Sequence, residues 1–381
     1  YLAECVASVL DQVGVDLEIL IVDDASADGS FELAERLAAD AGCIRVVRHQ
    51  SNMGLIPTIN EAMWQVDGEY IVKLDADDML TPGCLSRAVS LLEHCPHVGF
   101  VYGHPVTFTA SPPPRARQRV RSWTVTTGHE WIAKRCSRSK YFNNIFQPEV
   151  VIRSAVLRAA GHYRVDLPHT SDMEMWLRLA TIADVGRVNG CDQGYYRVHP
   201  ESMRHTVNAG TLVDLNGRLR AFKAVLGAGN PPVCDAPYLL ELVRRNLARA
   251  ALDAISEAIE THTEDGQAIL LEDQDRSLWN RKMIGEGLAL IDKAMLKRDP
   301  GPYQVQAAIA ALHARAATAA ETDWAGIDAL YATLEIMQPS PVITLNRAVA
   351  TAKVRGPEAA LAMIEPLGAR LEGYFHFHGA R

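Results

Sequence analysis

Long apolar segments, paired cysteines and an excess of positive charge are all absent from this sequence. No apolar run in the 381 residues approaches the ~18 residues that a membrane-spanning helix needs. The seven cysteines form no C-x-x-C pair and no zinc-type spacing, so free thiols in a reducing compartment are the simplest account. The formal net charge of -8 and the pI near 5.9 argue against a general nucleic-acid binder. These absences indicate a cytoplasmic protein with no transmembrane segment and no nucleic-acid partner.

Three carboxylates within four residues close an apolar, β-prone run. Asp75, Asp77 and Asp78 follow the segment 68–74, GEYIVKL. Like charges at this range oppose one another's ionisation. A bound divalent cation removes that cost, and carboxylate oxygens suit Mg²⁺ or Mn²⁺, whose other positions are filled by water and substrate phosphates. The motif therefore predicts a Mn²⁺ or Mg²⁺ site, with a solvated acidic turn as the alternative.

Strand-like and helix-like segments alternate around this motif. The apolar spacing predicts helices over 31–41, 55–66 and 82–94, and strands over 17–22, 43–49, 68–74 and 98–102. Such alternation implies an α/β fold with a mostly parallel sheet and right-handed crossovers. Ligands bind beyond the carboxyl ends of the strands in sheets of this kind. Because Asp23-Asp24 and Asp75 to Asp78 both sit at strand ends, we expect them to face one crevice.

Several short motifs follow one another in a fixed order. They are 21–26 (IVDDAS), 52–54 (NMG), 60–62 (NEA), 68–70 (GEY), 74–78 (LDADD), 171–178 (SDMEMWLR) and 195–199 (YYRVH). This series resembles family 2 glycosyltransferases over about residues 1–205. The resemblance implies a GT-A fold, a Rossmann-like sheet that binds a nucleotide-sugar and a divalent metal.

The resemblance assigns the first acidic pair to the nucleotide. Asp24 would hydrogen-bond the nucleobase, with uracil expected, and Asp23 would support that loop. Asn52 joins the nucleotide site by the same resemblance, although Asn in turns is common for local reasons. Helix capping is the alternative account of the two aspartates and needs no ligand.

The resemblance also assigns the metal and the diphosphate. Asp77 would be the leading metal ligand and Asp75 would contact the ribose or the metal, while Asp78 would support them. Arg197 suits a diphosphate because its planar fork donates two parallel hydrogen bonds. His199 would complete the metal shell or contact phosphate, with an ordinary packed histidine as the alternative.

Sugar transfer to a hydroxyl needs a general base, which typically contributes a rate factor of about 10² to 10⁴. Asp172 matches the family's base position, and Glu174 is the second candidate. A helix N-terminal acid stabilised by the helix dipole is the alternative account of Asp172. The family often has Glu where this chain has Ser171, which leaves the partner of the base open. The resemblance implies a hexosyltransferase-like, inverting reaction on a polysaccharide, lipid-linked or other hydroxyl acceptor. From the composition we expect a cytoplasmic protein, with a place at the inner face of the membrane as the alternative.

The beginning of the chain departs from the family pattern. The sequence starts at Tyr1, inside a helix expected to run to about Gln12. Family members normally have a strand before that helix, so we expect an N-terminally truncated domain.

The second half is nearly all helical by pattern, after a helical extension and linker over 206–265. Segments 271–276, 301–313 and 340–347 resemble the C-terminal extension of extracytoplasmic-function RNA polymerase sigma factors over 266–381. That resemblance implies an all-α, repeat-like (TPR-like) domain with a groove for a protein partner. The chain would then be a fusion. A non-enzymatic protein-binding or regulatory module beside an inert transferase fragment is the alternative function.

Overall fold

The computed structural model describes residues 1–109, 111–137, 145–199, 211–227, 233–259, 274–279, 281, 284–285, 288–289, 291 and 301–371. The chain forms two compact units, residues 1–209 with 216–243 and residues 210–215 with 244–381. The three-part division at 205 and 265 stays a prediction. Among the described residues, no helix combines the length and the apolar character that crossing a membrane requires.

The first unit alternates helices and strands. Its helices are α1 (Leu2–Leu10), α2 (Ser30–Asp40), α3 (Leu55–Met63), α4 (Cys84–His94), α5 (Gly128–Ser137), α6 (Ser154–Ala160) and α7 (Ser171–Ala180). Its strands are β1 (Ile19–Asp23), β2 (Ile44–Arg48), β3 (Tyr70–Ile71), β4 (Met79–Leu80), β5 (Val98–Tyr102), β6 (Pro105–Phe108), β7 (Ser122–Thr126), β8 (Val151–Arg153), β9 (Asp184–Asn189) and β10 (Gly194–Arg197). Two further helices follow, α8 (Thr211–Leu226) and α9 (Ala236–Ile259).

The strands pair in three sheets and in both senses. β1 and β2 are parallel, with Asp23 opposite Arg48. The second sheet has the order β4-β10-β6, and the third has the order β3-β8-β5-β9-β7. β10 is parallel to β6 and β9 is parallel to β5, whereas β8 runs antiparallel between β3 and β5. The α/β class is confirmed, and the antiparallel β8 makes the largest sheet mixed.

The strand expected over 68–74 is much shorter in the structure. β3 lies at the edge of its sheet and pairs only through Tyr70 and Ile71 with β8. The chain beyond Ile71 leaves the sheet before the acidic motif begins. An apolar run does not show how many of its residues pair with a neighbouring strand, so the predicted strand was too long.

A buried aromatic group fixes α5 and α7 against β5. Phe100 is fully buried, and its ring centroid lies 5.7 Å from that of Trp131 and 5.7 Å from that of Trp176. Fully burying a side chain of this size contributes roughly 1.5–3 kcal/mol. The placement of α7 matters for function because this helix carries Asp172 and Glu174.

The second unit is helical, as predicted for the C-terminal region. It contains α10 (Pro302–Arg315), α11 (Trp324–Met337), α12 (Pro341–Arg355), α13 (Pro357–Ile364) and α14 (Gly368–Leu371). Proline occupies the first position of α10, α12 and α13, where its missing N–H costs no helical hydrogen bond. α10 packs on α11, α11 packs on α12, and α12 packs on α13. The buried carboxylate of Asp328 accepts hydrogen bonds from Arg347 and Thr351 at 3.0 and 2.9 Å, which joins α11 to α12.

Candidate active site

Asp23 supports the loop that follows β1. Its side chain is buried, and its Oδ2 accepts a hydrogen bond from the Ser26 amide at 3.2 Å. Arg48, opposite Asp23 in the parallel pair, places its Nε 3.4 Å from the same oxygen. These contacts fit the supporting role expected for Asp23.

Asp24 ties this loop to the turn before α3. Its Oδ1 accepts from the Met53 amide at 2.7 Å, and its Oδ2 accepts from the Gly54 amide at 2.8 Å. Burial opposes ionisation, but these hydrogen bonds and one with His49 lower the pKa of Asp24 below its ordinary value. A carboxylate has about four acceptor positions. His49, Met53 and Gly54 occupy three of those of Asp24, so about one remains for a ligand. Asn52 lies exposed in the same turn. Nucleobase contacts by Asp24 and Asn52 stay predictions.

His49 belongs to this group and was missed by the sequence reasoning. Its Nδ1 lies 2.8 Å from Asp24 Oδ1, and its Nε2 lies 3.2 Å from Glu61 Oε2. The hydrogen bond with Asp24 raises the pKa of His49, although burial opposes this. A signal was available, because His49 directly follows β2 and the parallel register puts it beside the residue after Asp23. His49 therefore orients Asp24.

Each carboxylate of the acidic motif has its own partner. Asp75 pairs with the Lys73 ammonium. Asp77 Oδ2 lies 3.0 Å from His199 Nε2. The buried Asp78 accepts a hydrogen bond from the Arg197 amide at 2.9 Å, and burial raises the pKa of Asp78 to about 8. Lys73 and His199 thus contact two of the three carboxylates, a possibility that the sequence analysis did not weigh, while the charges of Asp75 and Asp77 help to raise the pKa of Asp78.

Asp77 and His199 are the residues best placed to hold a divalent cation. Their side chains are 32% and 15% exposed, so both can be reached from solvent. Within the described part of the chain, Asp75 does not join them in a compact set of three metal-ligating groups. Mg²⁺ is commonly held by one or two protein groups, with substrate phosphates and water completing the shell. The pair fits such a site, whereas a direct metal contact by Asp75 stays a prediction.

Arg197 is embedded in the protein rather than projecting into open solvent. It is 4% exposed, donates from Nε to the Asp77 carbonyl at 2.8 Å, and pairs with Glu4 Oε2 at 2.7 Å. Its guanidinium carbon lies 4.5 Å from the Tyr1 ring centroid and 4.6 Å from that of Phe108. These contacts anchor α1 and the acidic motif. A contact between Arg197 and the diphosphate stays a prediction. Asp77 and Glu4 already use part of the N–H donors of its guanidinium.

The two candidate bases on α7 have different surroundings. Asp172 is half-buried, and its Oδ1 accepts only the neighbouring Met173 amide at 2.7 Å among the hydrogen bonds of the described residues. Burial raises the pKa of Asp172. The charge of Asp75 raises this pKa further, and the charge of Lys73 lowers it. Asp75 belongs to the acidic motif, and Lys73 lies two residues before it. The candidate base and the acidic motif are therefore close enough to interact electrostatically.

Glu174 forms an ion pair with Arg178. It is 2% exposed, and Arg178 donates to both of its oxygens, from Nε at 2.9 Å and from a terminal nitrogen at 2.8 Å. The i,i+4 spacing on α7 makes this pairing favourable. Geometry therefore favours Asp172 over Glu174 as the base.

Part of this region matches a known family model. Residues 1–151 match Glycosyl transferase family 2. The matched family 2 segment contains β1, the 52–54 turn and the acidic motif. Asp172, Arg197 and His199 lie beyond it in the chain.

Curated relatives cover part of the chain. Over 170 residues the chain is 61% identical to the uncharacterized protein R00370 of Rhizobium meliloti, spanning 45% of this chain and 38% of that protein. Over 209 residues it is 23% identical to an uncharacterized glycosyltransferase of Haemophilus influenzae, spanning 52% of this chain and 62% of that protein. These matches thus span less than two thirds of the relatives' own length.

A solved structure resembles the chain in fold. The match is to S. aureus TarS 1-349 in complex with UDP-GlcNAc, with a TM-score of 0.53 and 15% identity, over 98% of this chain and 89% of that chain. At this identity the likeness bears on the fold alone, and it agrees with the GT-A expectation.

Proposed function

We propose that the first unit transfers a sugar from a uridine diphosphate sugar to an acceptor hydroxyl, with the divalent-metal dependence and inversion expected of the family. The observation that carries the proposal is the joint placement of three groups. Asp77 and His199 form a reachable ligand pair at 3.0 Å, and Asp172 interacts electrostatically with the neighbouring Lys73 and Asp75. The family 2 match over 1–151 supports the same reaction class.

In this proposal the acceptor hydroxyl gives its proton to Asp172. The acceptor oxygen bonds to the anomeric carbon while the bond from that carbon to the diphosphate oxygen breaks, and the electron pair leaves with the diphosphate. Attack opposite the leaving group inverts the anomeric centre. Burial raises the pKa of Asp172, which makes its carboxylate a stronger base. Asp77 and His199 would hold Mn²⁺ or Mg²⁺, which supplies charge stabilisation to the leaving diphosphate.

Separate measurements of binding and turnover test the role of Asp172. Asp172→Asn should leave uridine diphosphate affinity unchanged and lower sugar transfer by about 10² to 10⁴-fold, the usual contribution of a general base. Asp166→Asn is the matched control, since Asp166 is exposed and pairs with Arg164 at 2.9 Å. Normal transfer by Asp172→Asn would refute its role. Activity has to be screened with several donor sugars and acceptors first.

The protein-binding role of 266–381, its likeness to sigma factors, the fusion and the cytoplasmic location stay predictions. The polysaccharide or lipid-linked acceptor stays open in the same way.

A further inference from the structure

A second group of metal-ligating side chains lies in the first unit, outside the candidate active site. His129 stands in the first turn of α5, and Cys234 and Asp235 immediately precede α9. One ligand atom from each residue lies within 4.8 Å of the other two. His129 Nε2 and Asp235 Oδ1 are 2.6 Å apart although 106 residues separate them in sequence. No other set of three such groups is this compact in the described part of the chain.

We propose that His129, Cys234 and Asp235 bind one zinc-type divalent transition metal. The donor set decides the chemical class. Imidazole nitrogen, thiolate sulfur and carboxylate oxygen are the zinc ligands of proteins, and thiolate sulfur disfavours Mg²⁺ and Mn²⁺. The ion would therefore differ from the one expected at Asp77 and His199. Three protein ligands leave the fourth tetrahedral position to water or another small ligand.

The spacing is close to that of a tetrahedral site. Zinc–ligand bonds of about 2.0–2.3 Å place neighbouring ligand atoms roughly 3.5 Å apart in a tetrahedron. The present atoms lie within 4.8 Å, and the His129–Asp235 hydrogen bond would open by about 1 Å to admit the ion. His129 and Asp235 have side chains 49% and 39% exposed, so rotation about their side-chain bonds meets little packing.

The backbone on both sides of the group is held by buried residues. Ile132, one turn after His129 on α5, is fully buried. Val233 and Ala236 flank the Cys234-Asp235 pair and are 3% and 0% exposed. The Gly128 amide also donates to Asp184 at 3.1 Å. Supporting residues locked by packing are what a metal site requires of its scaffold.

The hydrogen bond between His129 and Asp235 could exist without a metal, but it leaves Cys234 unexplained. Cys234 is exposed, whereas the other six cysteines are buried or half-buried. A bound metal ion would account for the exposed thiol, because the thiol, the imidazole and the carboxylate could then bind the same ion. A bound ion would also link α5 to the start of α9, so binding should raise the thermal stability of the folded chain.

Cobalt substitution tests the site directly. The full chain, stripped with a chelator and kept reduced, is titrated with Co²⁺ and then with Zn²⁺. We expect one tetrahedral Co²⁺ per chain, with its visible absorption and a sulfur-to-cobalt charge-transfer band, and loss of both signals when Zn²⁺ displaces Co²⁺. Cys234→Ser should abolish the charge-transfer band. His129→Ala should weaken binding by more than the roughly 10 to 100-fold that losing an outer-shell partner of a metal ligand costs.

Two controls separate this site from the other one. Cys43→Ser removes a half-buried thiol and should keep the full cobalt spectrum. Asp77→Asn should also keep it, so failure of the proposed transferase function leaves this test unaffected. The proposal is overturned by a six-coordinate cobalt spectrum without a sulfur band, or by equal charge-transfer absorption in the parent chain and Cys234→Ser. Circular dichroism checks that each variant is folded.

Discussion

A buried glutamate gives the sharpest stability prediction. Glu149 is 3% exposed, and its Oε1 accepts a hydrogen bond from the Phe146 amide at 2.9 Å. Burial raises the pKa of Glu149 from 4.5 to about 8, although the charges of Arg187 and Arg135 oppose this. Glu149→Gln keeps the acceptor for the Phe146 amide and removes the ionisable group. We expect the variant to be more stable than the parent chain at neutral pH.

The sign follows from the protons bound in each state. Between pH 4.5 and about 8 the unfolded chain loses the Glu149 proton while the folded chain keeps it, so parental stability falls as pH rises. One pKa unit corresponds to about 1.4 kcal/mol, so the gain in Glu149→Gln should grow from near zero at pH 4.5 to at most about 3 kcal/mol at pH 7. Above pH 8 the difference should level off.

The assay is the free energy of opening of the β5 amides, measured by hydrogen exchange from pH 5 to pH 8 after correction for intrinsic exchange. Following β5 restricts the measurement to the first unit. Asp166→Asn is the control, because the hydrogen bond from Arg164 lowers the pKa of Asp166 and its effect is lost only as pH falls through that lowered value. Its difference from the parent chain should stay constant over this range. A constant difference for Glu149→Gln, or one that shrinks as pH rises, would refute the reasoning.

Three further changes probe the framework, each read by chemical denaturation. Glu174→Gln should destabilise the first unit by about 1–3 kcal/mol, because it removes the charge from a buried side chain that accepts two hydrogen bonds from the half-buried Arg178; an unchanged midpoint would contradict this. Gly128→Ala should destabilise the first unit by more than about 3 kcal/mol, because a Cβ at this position would lie 1.8 Å from the Ala180 carbonyl oxygen. A folded variant with the stability of the parent chain would contradict this packing. Asp328→Asn should lower the stability of the second unit by about 3 kcal/mol and leave the first unit unchanged.

The sequence predicted most elements of residues 1–102 because their apolar periodicity is local. The strand expected over 98–102 is β5, and the helix expected over 31–41 is α2 within one residue at each end. The helical character of the second unit was predicted in the same way, and Trp324–Met337 is one of its helices. Edge strand β3 was overestimated because its length depends on a distant partner, β8.

Residue types at strand ends pointed to the candidate site, whereas side-chain directions could not be derived from the sequence. Nothing in the sequence shows that Arg197 packs between Tyr1 and Phe108, or that Lys73 pairs with Asp75. The pairing of Glu174 with Arg178 was detectable, since i,i+4 ion pairs on helices are common.

The zinc-type group shows the limit of motif reading. Spacing rules identify metal sites whose ligands are near one another in sequence. His129 and Asp235 are 106 residues apart and meet only because α5 and the start of α9 lie together in the folded unit. No search for short cysteine spacings could have found them.

Calorimetric titration of uridine diphosphate into the full chain, with Mn²⁺ and with a chelator, tests the central claim most directly. The account predicts binding that needs Mn²⁺ and that falls at least about tenfold in Asp77→Asn, because that carboxylate belongs to the proposed ligand pair. Equal affinity with and without Mn²⁺, or no binding by a chain that circular dichroism shows to be folded, would contradict a metal-dependent nucleotide-sugar site.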